Sequence, residues 1–214
     1  NNLTRKIMEQ YILSLLIFIP VLGVIIMIPV SKFLGSSNLK IVALITTGIQ
    51  LLLSIWLYCN FDSSISVLNS PFTINVEWIS HFNIFYYLGV DGLSMPMVLL
   101  TALLSFLCII ASWNIDKRPL GYFSLFLLLD AGMMGVFLSL DFFLFYIFWE
   151  VMLLPMYFLI GMWGGPQRHY AAIKFFLYTL FGSVFMLLSM LALYYYTTPN
   201  TFSLTTLIIE APKI

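Results

Sequence analysis

Apolar residues along this chain fall into long unbroken runs, and polar residues gather in the gaps between them. A helix rising 1.5 Å per residue needs about 20 apolar residues to cross ~30 Å of hydrocarbon. Six segments meet that length: 11–30, 39–59, 93–114, 119–139, 142–163 and 170–196. Their apolar positions are continuous, whereas a membrane β-barrel strand alternates between two faces. The pattern predicts an all-α membrane protein of about six transmembrane helices. The stretch 60–92 is the only long connection. Within it Phe72, Ile74, Val76 and Trp78 recur at every second position, and this period predicts a small extramembrane β-hairpin lying at the interface. Trp78, Tyr86 and Tyr87 suit the headgroup belt. Asp91-Gly92 is turn chemistry, and Asp91 or Ser94 is placed to cap the third helix.

Composition reinforces the pattern. Of 214 residues, 62% are hydrophobic and 8% charged, against about 25% charged in an ordinary soluble domain. So few charges cannot coat a water-soluble surface. Nine basic and nine acidic side chains cancel, and no basic stripe is present to engage nucleic acid. Cys59 and Cys108 lie in apolar runs without metal-ligand spacing and are expected to be small buried hydrophobes. The first apolar run is too long for a signal peptide, and no small-residue cleavage site follows it. The carboxyl end, 208–214, has no cap or polar tail, as expected of a piece of a longer protein.

Lys and Arg in short loops report orientation. Lys32, Lys40, Lys117, Arg118 and Arg168 fall on one side, and Arg5, Lys6 and Lys213 on the other. The excess predicts an N-terminus outside the cytoplasm or matrix.

Charges inside the apolar segments carry the candidate chemistry. A carboxylate at mid-bilayer costs at least about 2.5–3.5 kcal/mol on insertion scales, so it needs a use or a partner. Glu150 lies in the middle of the fifth segment, with Tyr146 four residues before it and Tyr157 seven after. Pro155 follows, and its missing N–H deprives the Val151 carbonyl of its usual helical partner. Burial favours a neutral carboxyl and a nearby cation favours a charged one, so a group pulled both ways can load and release a proton. Asp130 is halfway along the fourth segment, on a helix carrying Ala131, Gly135 and Ser139 at the four-residue spacing of a close-packing seam. The turn at Asp141 between segments four and five is so short that they must be antiparallel neighbours, which puts Asp130 and Glu150 at similar depth. Two such carboxyls can share protons, although a hydrogen-bonded structural Asp is an equal reading of Asp130. Lys174 is a snorkelling lysine or a charge that modulates Glu150, offset from it by ~10 Å along the membrane normal. Asp141 reads as a helix cap. His81 and His169 read as loop residues facing solvent or headgroups, and Asp116-Lys117-Arg118 as a solvated loop cluster. No phosphate-binding glycine loop or paired CxxC occurs, and no pocket for NADH, flavin, iron–sulfur or haem is legible.

The wording DFFLFYIFWEVMLLPMYFLIGMWGG (141–165), YAAIKFFLYTLFGSVFMLLSML (170–191) and YLGVDGLS (87–94) resembles the N-terminal part of subunit M of bacterial respiratory complex I, which is subunit 4 of the mitochondrial enzyme. The wider family is the antiporter-like subunits, shared with Mrp sodium/proton antiporters and membrane-bound hydrogenases. The resemblance implies a 14-helix subunit with two inverted five-helix repeats behind three leading helices, translocating protons as quinone is reduced elsewhere. On this resemblance, 1–92 holds leading helices 1 and 2 with the interfacial loop, and 93–118 helix 3 with its loop. Residues 119–197 would be the first three helices of a repeat, and 198–214 a truncated connecting loop. The family's essential glutamate falls on Glu150, and its lysine partner belongs to a seventh helix that this chain does not reach. Lys174, Asp130 and Tyr146 would assist Glu150. The implied partners are neighbouring antiporter-like subunits, lipid and the remainder of the same subunit. NADH, FMN, iron–sulfur clusters and quinone would be held by partner subunits and no cofactor by this chain. The implied location is the bacterial inner membrane with a periplasmic N-terminus, or the mitochondrial inner membrane. A Mrp-type antiporter subunit, a hydrogenase subunit and a structural scaffold are the rival readings.

Overall fold

A computed structural model of the chain describes residues 2–33, 35–62, 70–198 and 200–210. The order of elements is α1 (Asn2–Phe33), α2 (Ser36–Asn60), β1 (Ile74–Ile79), β2 (Ile84–Leu88), α3 (Ser94–Ala111), α4 (Pro119–Leu138), α5 (Phe142–Trp163), α6 (Arg168–Tyr196) and α7 (Leu204–Glu210). The first six helices are long and apolar enough to span a membrane. Their ends follow local chemistry. Pro119 opens α4, where its missing N–H costs nothing. Asp141 caps α5, its carboxylate accepting from the N–H groups of Phe143 and Leu144. At the start of α3 the expected pair works reciprocally. Asp91 Oδ1 accepts from Leu93 N and Ser94 N, and Ser94 Oγ accepts from Asp91 N.

α4 lies against α1, α2, α3 and α5, and α6 packs on α5. One apolar core joins α1 to α4 and β2 through Leu13, Leu16, Phe72, Leu88, Val98 and Leu138. A second, nearer the basic loops, uses Met27, Leu39, Ile109, Phe123 and Leu127. Small residues set the approach of α4 to α5. A Cβ at Gly132 would meet Met152 at 2.9 Å, and one at Gly135 would overlap the Phe148 ring. The close-packing seam predicted at Ala131, Gly135 and Ser139 is buried throughout, with Gly132 added to it.

The hairpin is present. β1 and β2 pair antiparallel from Ile74↔Leu88 to Ile79↔Ile84, with a register shift between Glu77 and Ile79. It is also stitched to the turn between α4 and α5: Gly89 N donates to Leu138 O and Leu140 N to Tyr87 O. That turn is bonded in its own right to the segment after α6, Phe142 N donating to Phe202 O and Leu204 N to Leu140 O.

Several expectations need correction. Trp78 is exposed, as a headgroup-belt residue would be, and so is Val76, but Tyr87 is buried, and the Tyr86 hydroxyl is 3.0 Å from Ser14 Oγ. Both tyrosines face inward because β2 is the strand against the core. Cys59 and Cys108 are exposed rather than buried; in a chain whose surroundings are lipid, a small apolar residue has no reason to turn inward. His169 lies in the first turn of α6 rather than in a loop. Asp116 is paired with Lys40 at 2.8 Å, while its side chain stays largely exposed, as expected of a mostly solvated cluster. Residues 204–210 form a helix where a loop was expected, because Leu207 has a buried niche to fill.

Candidate intramembrane proton site

Glu150 lies eight residues into α5, ~12 Å from its start. The side chain is half-buried, and its Oε1 is buried with no hydrogen-bond partner among the described residues. One turn earlier on the same helix, the Tyr146 hydroxyl interacts with the Glu150 carboxyl and with the Ser183 hydroxyl of α6. Tyr146 thus lies between Glu150 of α5 and Ser183 of α6, whose hydroxyl donates to Leu180 O at 2.9 Å. Pro155 is buried within α5, one turn beyond Glu150, where its missing N–H leaves the Val151 carbonyl without the usual donor. Toward the basic loops, a groove of about 260 Å³ lies between α5 and α6, lined by Tyr157, Gly161, His169 and Ala172 among others. Tyr157 does not join the Glu150 group; its ring packs on Phe176 at 5.5 Å.

Lys174 is exposed on α6, with its ammonium 5.7 Å from the Tyr170 ring centre. No ion pair with Glu150 is formed among the described residues. Asp130 belongs to a different group. It is 0% exposed and accepts from Ser105 Oγ of α3 at 2.6 Å. Gln50 of α2 also interacts with it. The Gln50 amide donates to Leu16 O of α1 at 3.1 Å. Sequence reasoning missed Ser183, Ser105 and Gln50. Gln50 was the most findable, since Thr47, Gln50 and Ser54 make a buried polar stripe at three- and four-residue spacing along α2. Asp141 caps α5 from outside the span and also accepts from Phe85 N at 3.1 Å. Burial pushes its pKa above the ordinary carboxylate range, against the three N–H groups that pull it down.

Comparison with known proteins places this arrangement in a class. Residues 64–140 match the family described as NADH-ubiquinone oxidoreductase chain 4, amino terminus. Residues 139–212 match the family NADH:quinone oxidoreductase/Mrp antiporter, TM. The chain belongs to the NADH-quinone oxidoreductase subunit M or chain 4 family of antiporter-like membrane subunits. NADH-quinone oxidoreductase subunit M of Rhodobacter capsulatus is 42% identical over 86% of this chain and 36% of that protein. NADH-ubiquinone oxidoreductase chain 4 of Mycosarcoma maydis is 39% identical over 94% of this chain and 42% of that protein. A chain of respiratory complex I from Thermus thermophilus with bound NADH superposes with a TM-score of 0.77 at 25% identity, covering 92% of this chain and 39% of that one. The chain thus spans about two fifths of the length of these relatives.

Proposed function

We propose that this chain is a proton-translocating membrane subunit of an NADH:quinone oxidoreductase, with Glu150 as its central proton-carrying carboxylate. The observation that carries the reading is the Glu150 site itself. It is a mid-span carboxyl with one buried, unpartnered oxygen, beside the Tyr146 hydroxyl that lies between it and Ser183 of the next helix. An intramembrane ionisable group is expensive and marks ion pathways. A carboxyl with spare acceptor capacity next to hydroxyls can take a proton from one side and pass it on. The groove lined by Tyr157 and His169 supports an approach from the basic side. Lys174 and Asp130 would tune the affinity of Glu150 by charge, at a distance or through water. NADH oxidation, FMN, iron–sulfur clusters and quinone belong, on this reading, to partner subunits, and this chain carries no redox chemistry. Its partners would be neighbouring antiporter-like subunits, lipid and the rest of its own subunit. The loop charges favour an N-terminus on the periplasmic or intermembrane side, in a bacterial or mitochondrial inner membrane.

The test is Glu150→Gln in the whole reconstituted complex, with proton uptake and NADH oxidation recorded together. Loss of at least tenfold in coupled pumping, with assembly intact, is expected. Normal pumping would reduce Glu150 to a packing hydrogen bond and the chain to a scaffold. A second reading, a subunit of a sodium/proton antiporter, is favoured by the match to a family whose description names Mrp antiporters; sodium-dependent proton movement without NADH would establish it.

A further inference from the structure

Asp130 is sealed among α1 to α4, away from the Tyr146 hydroxyl beside Glu150. Its Oδ1 accepts from Ser105 Oγ at 2.6 Å. Its Oδ2 is buried and accepts from nothing among the described residues. Gln50, which interacts with Asp130, is likewise fully buried, and its Oε1 is a second buried acceptor without a donor. Asp130 and Gln50 therefore each carry a spare buried acceptor. Leaving both so, with Asp130 charged, carries the cost of an unpaired buried charge and of an unsatisfied amide. One proton removes the larger deficit. Bound at Oδ2, it neutralises the carboxylate and turns that oxygen into a donor. Gln50 keeps its own place through the N–H given to Leu16 O at 3.1 Å, and the other polar groups of its stripe are spent on their own helix, Thr47 Oγ1 on Ala43 O and Ser54 Oγ on Gln50 O. Among the described residues no cation faces the carboxyl to replace the proton. The described titratable groups of α1 and α2 lie near helix ends (Tyr11, Lys32, Lys40, Tyr58, Cys59), α3 brings the exposed Cys108, α4 itself Tyr122, and α5 Tyr146, Glu150 and Tyr157.

We infer that the Asp130–Gln50–Ser105 cluster is a second proton-binding site, in which Asp130 takes up one proton from the aqueous phase at its unpartnered Oδ2 and returns it when the bundle opens. The site stands on its own residues and does not require the role proposed for Glu150. The test uses the assembled complex with the full-length subunit, as wild type, Asp130→Asn, Ser105→Ala and Glu150→Gln, followed by infrared spectroscopy from acid to alkaline pH. Wild type and Glu150→Gln should both show the C=O stretch of a protonated carboxyl that fades as pH rises, and Asp130→Asn should lose that band. Ser105→Ala should move it to higher frequency, because Oδ1 loses its donor. A set of carboxyl bands unchanged in Asp130→Asn, or an Asp130 band that persists at every pH, overturns the inference. If Asp130→Asn does not assemble, Ser105→Ala decides: a shifted band supports the site and an unmoved spectrum overturns it. Loss of pumping in Glu150→Gln with the Asp130 band intact would separate the two carboxyls.

Discussion

The two halves of the helical array treat their carboxyls in opposite ways. In α1 to α4, 33–39% of each helix's most apolar stretch is buried, against 17% in α5 and 11% in α6. Asp130 lies inside the closed half, fully buried and gripped by neighbours on α2 and α3. Glu150 lies in the open half, half-buried, beside one partner on its own helix. A closed site favours tight, slow proton binding, because reaching it requires helices to part. An open one suits exchange with a pathway and leaves a face for further helices to cover.

Experiments that break this contrast rank by how much packing they disturb. Gly135→Leu puts a side chain into the Phe148 ring, and a cost at or above about 3 kcal/mol, the upper range for overpacking, should deplete assembled complex on native gels. Asp141→Ala removes acceptors for three backbone N–H groups, two at the α5 cap and one on β2. It should lower stability by about 2 kcal/mol, read as a fall in the thermal midpoint of the detergent-solubilised complex, while Asp141→Asn retains much of the cap. Ser105→Ala leaves a buried acceptor short of its donor and should cost about 1–2 kcal/mol in the same assay, sharpening the claim that the closed half depends on internal pairing. Asp116→Ala breaks a pair whose carboxylate is 86% exposed. Its effect should stay within about 0.5 kcal/mol and shrink further at high salt.

The helices were legible because a lipid solvent writes continuous apolar runs, and their ends were legible where a rule of capping applies, as at Asp91, Pro119 and Asp141. The hairpin announced itself by its period of two. Both mid-span carboxyls stand out as charges in apolar surroundings. Their partners do not. Ser105, Ser183 and Gln50 are neutral and common in membrane helices, so only three-dimensional placement distinguishes them. Tyr86 and Tyr87 were misread because composition alone does not say which strand of the hairpin meets the helices. The exposed cysteines show that a rule learned from proteins in water fails when the surroundings are themselves oily.

The bonds from Phe142 N to Phe202 O and from Leu204 N to Leu140 O have a bearing on biogenesis. The turn between the fourth and fifth spans offers unmatched backbone groups at Leu140 and Phe142 until residues 202–204 emerge. Those residues leave the ribosome only after all six spans have been made. This exterior turn therefore locks only after the sixth span, and a ribosome stalled within that span would leave every earlier helix inserted beneath an unfinished lid.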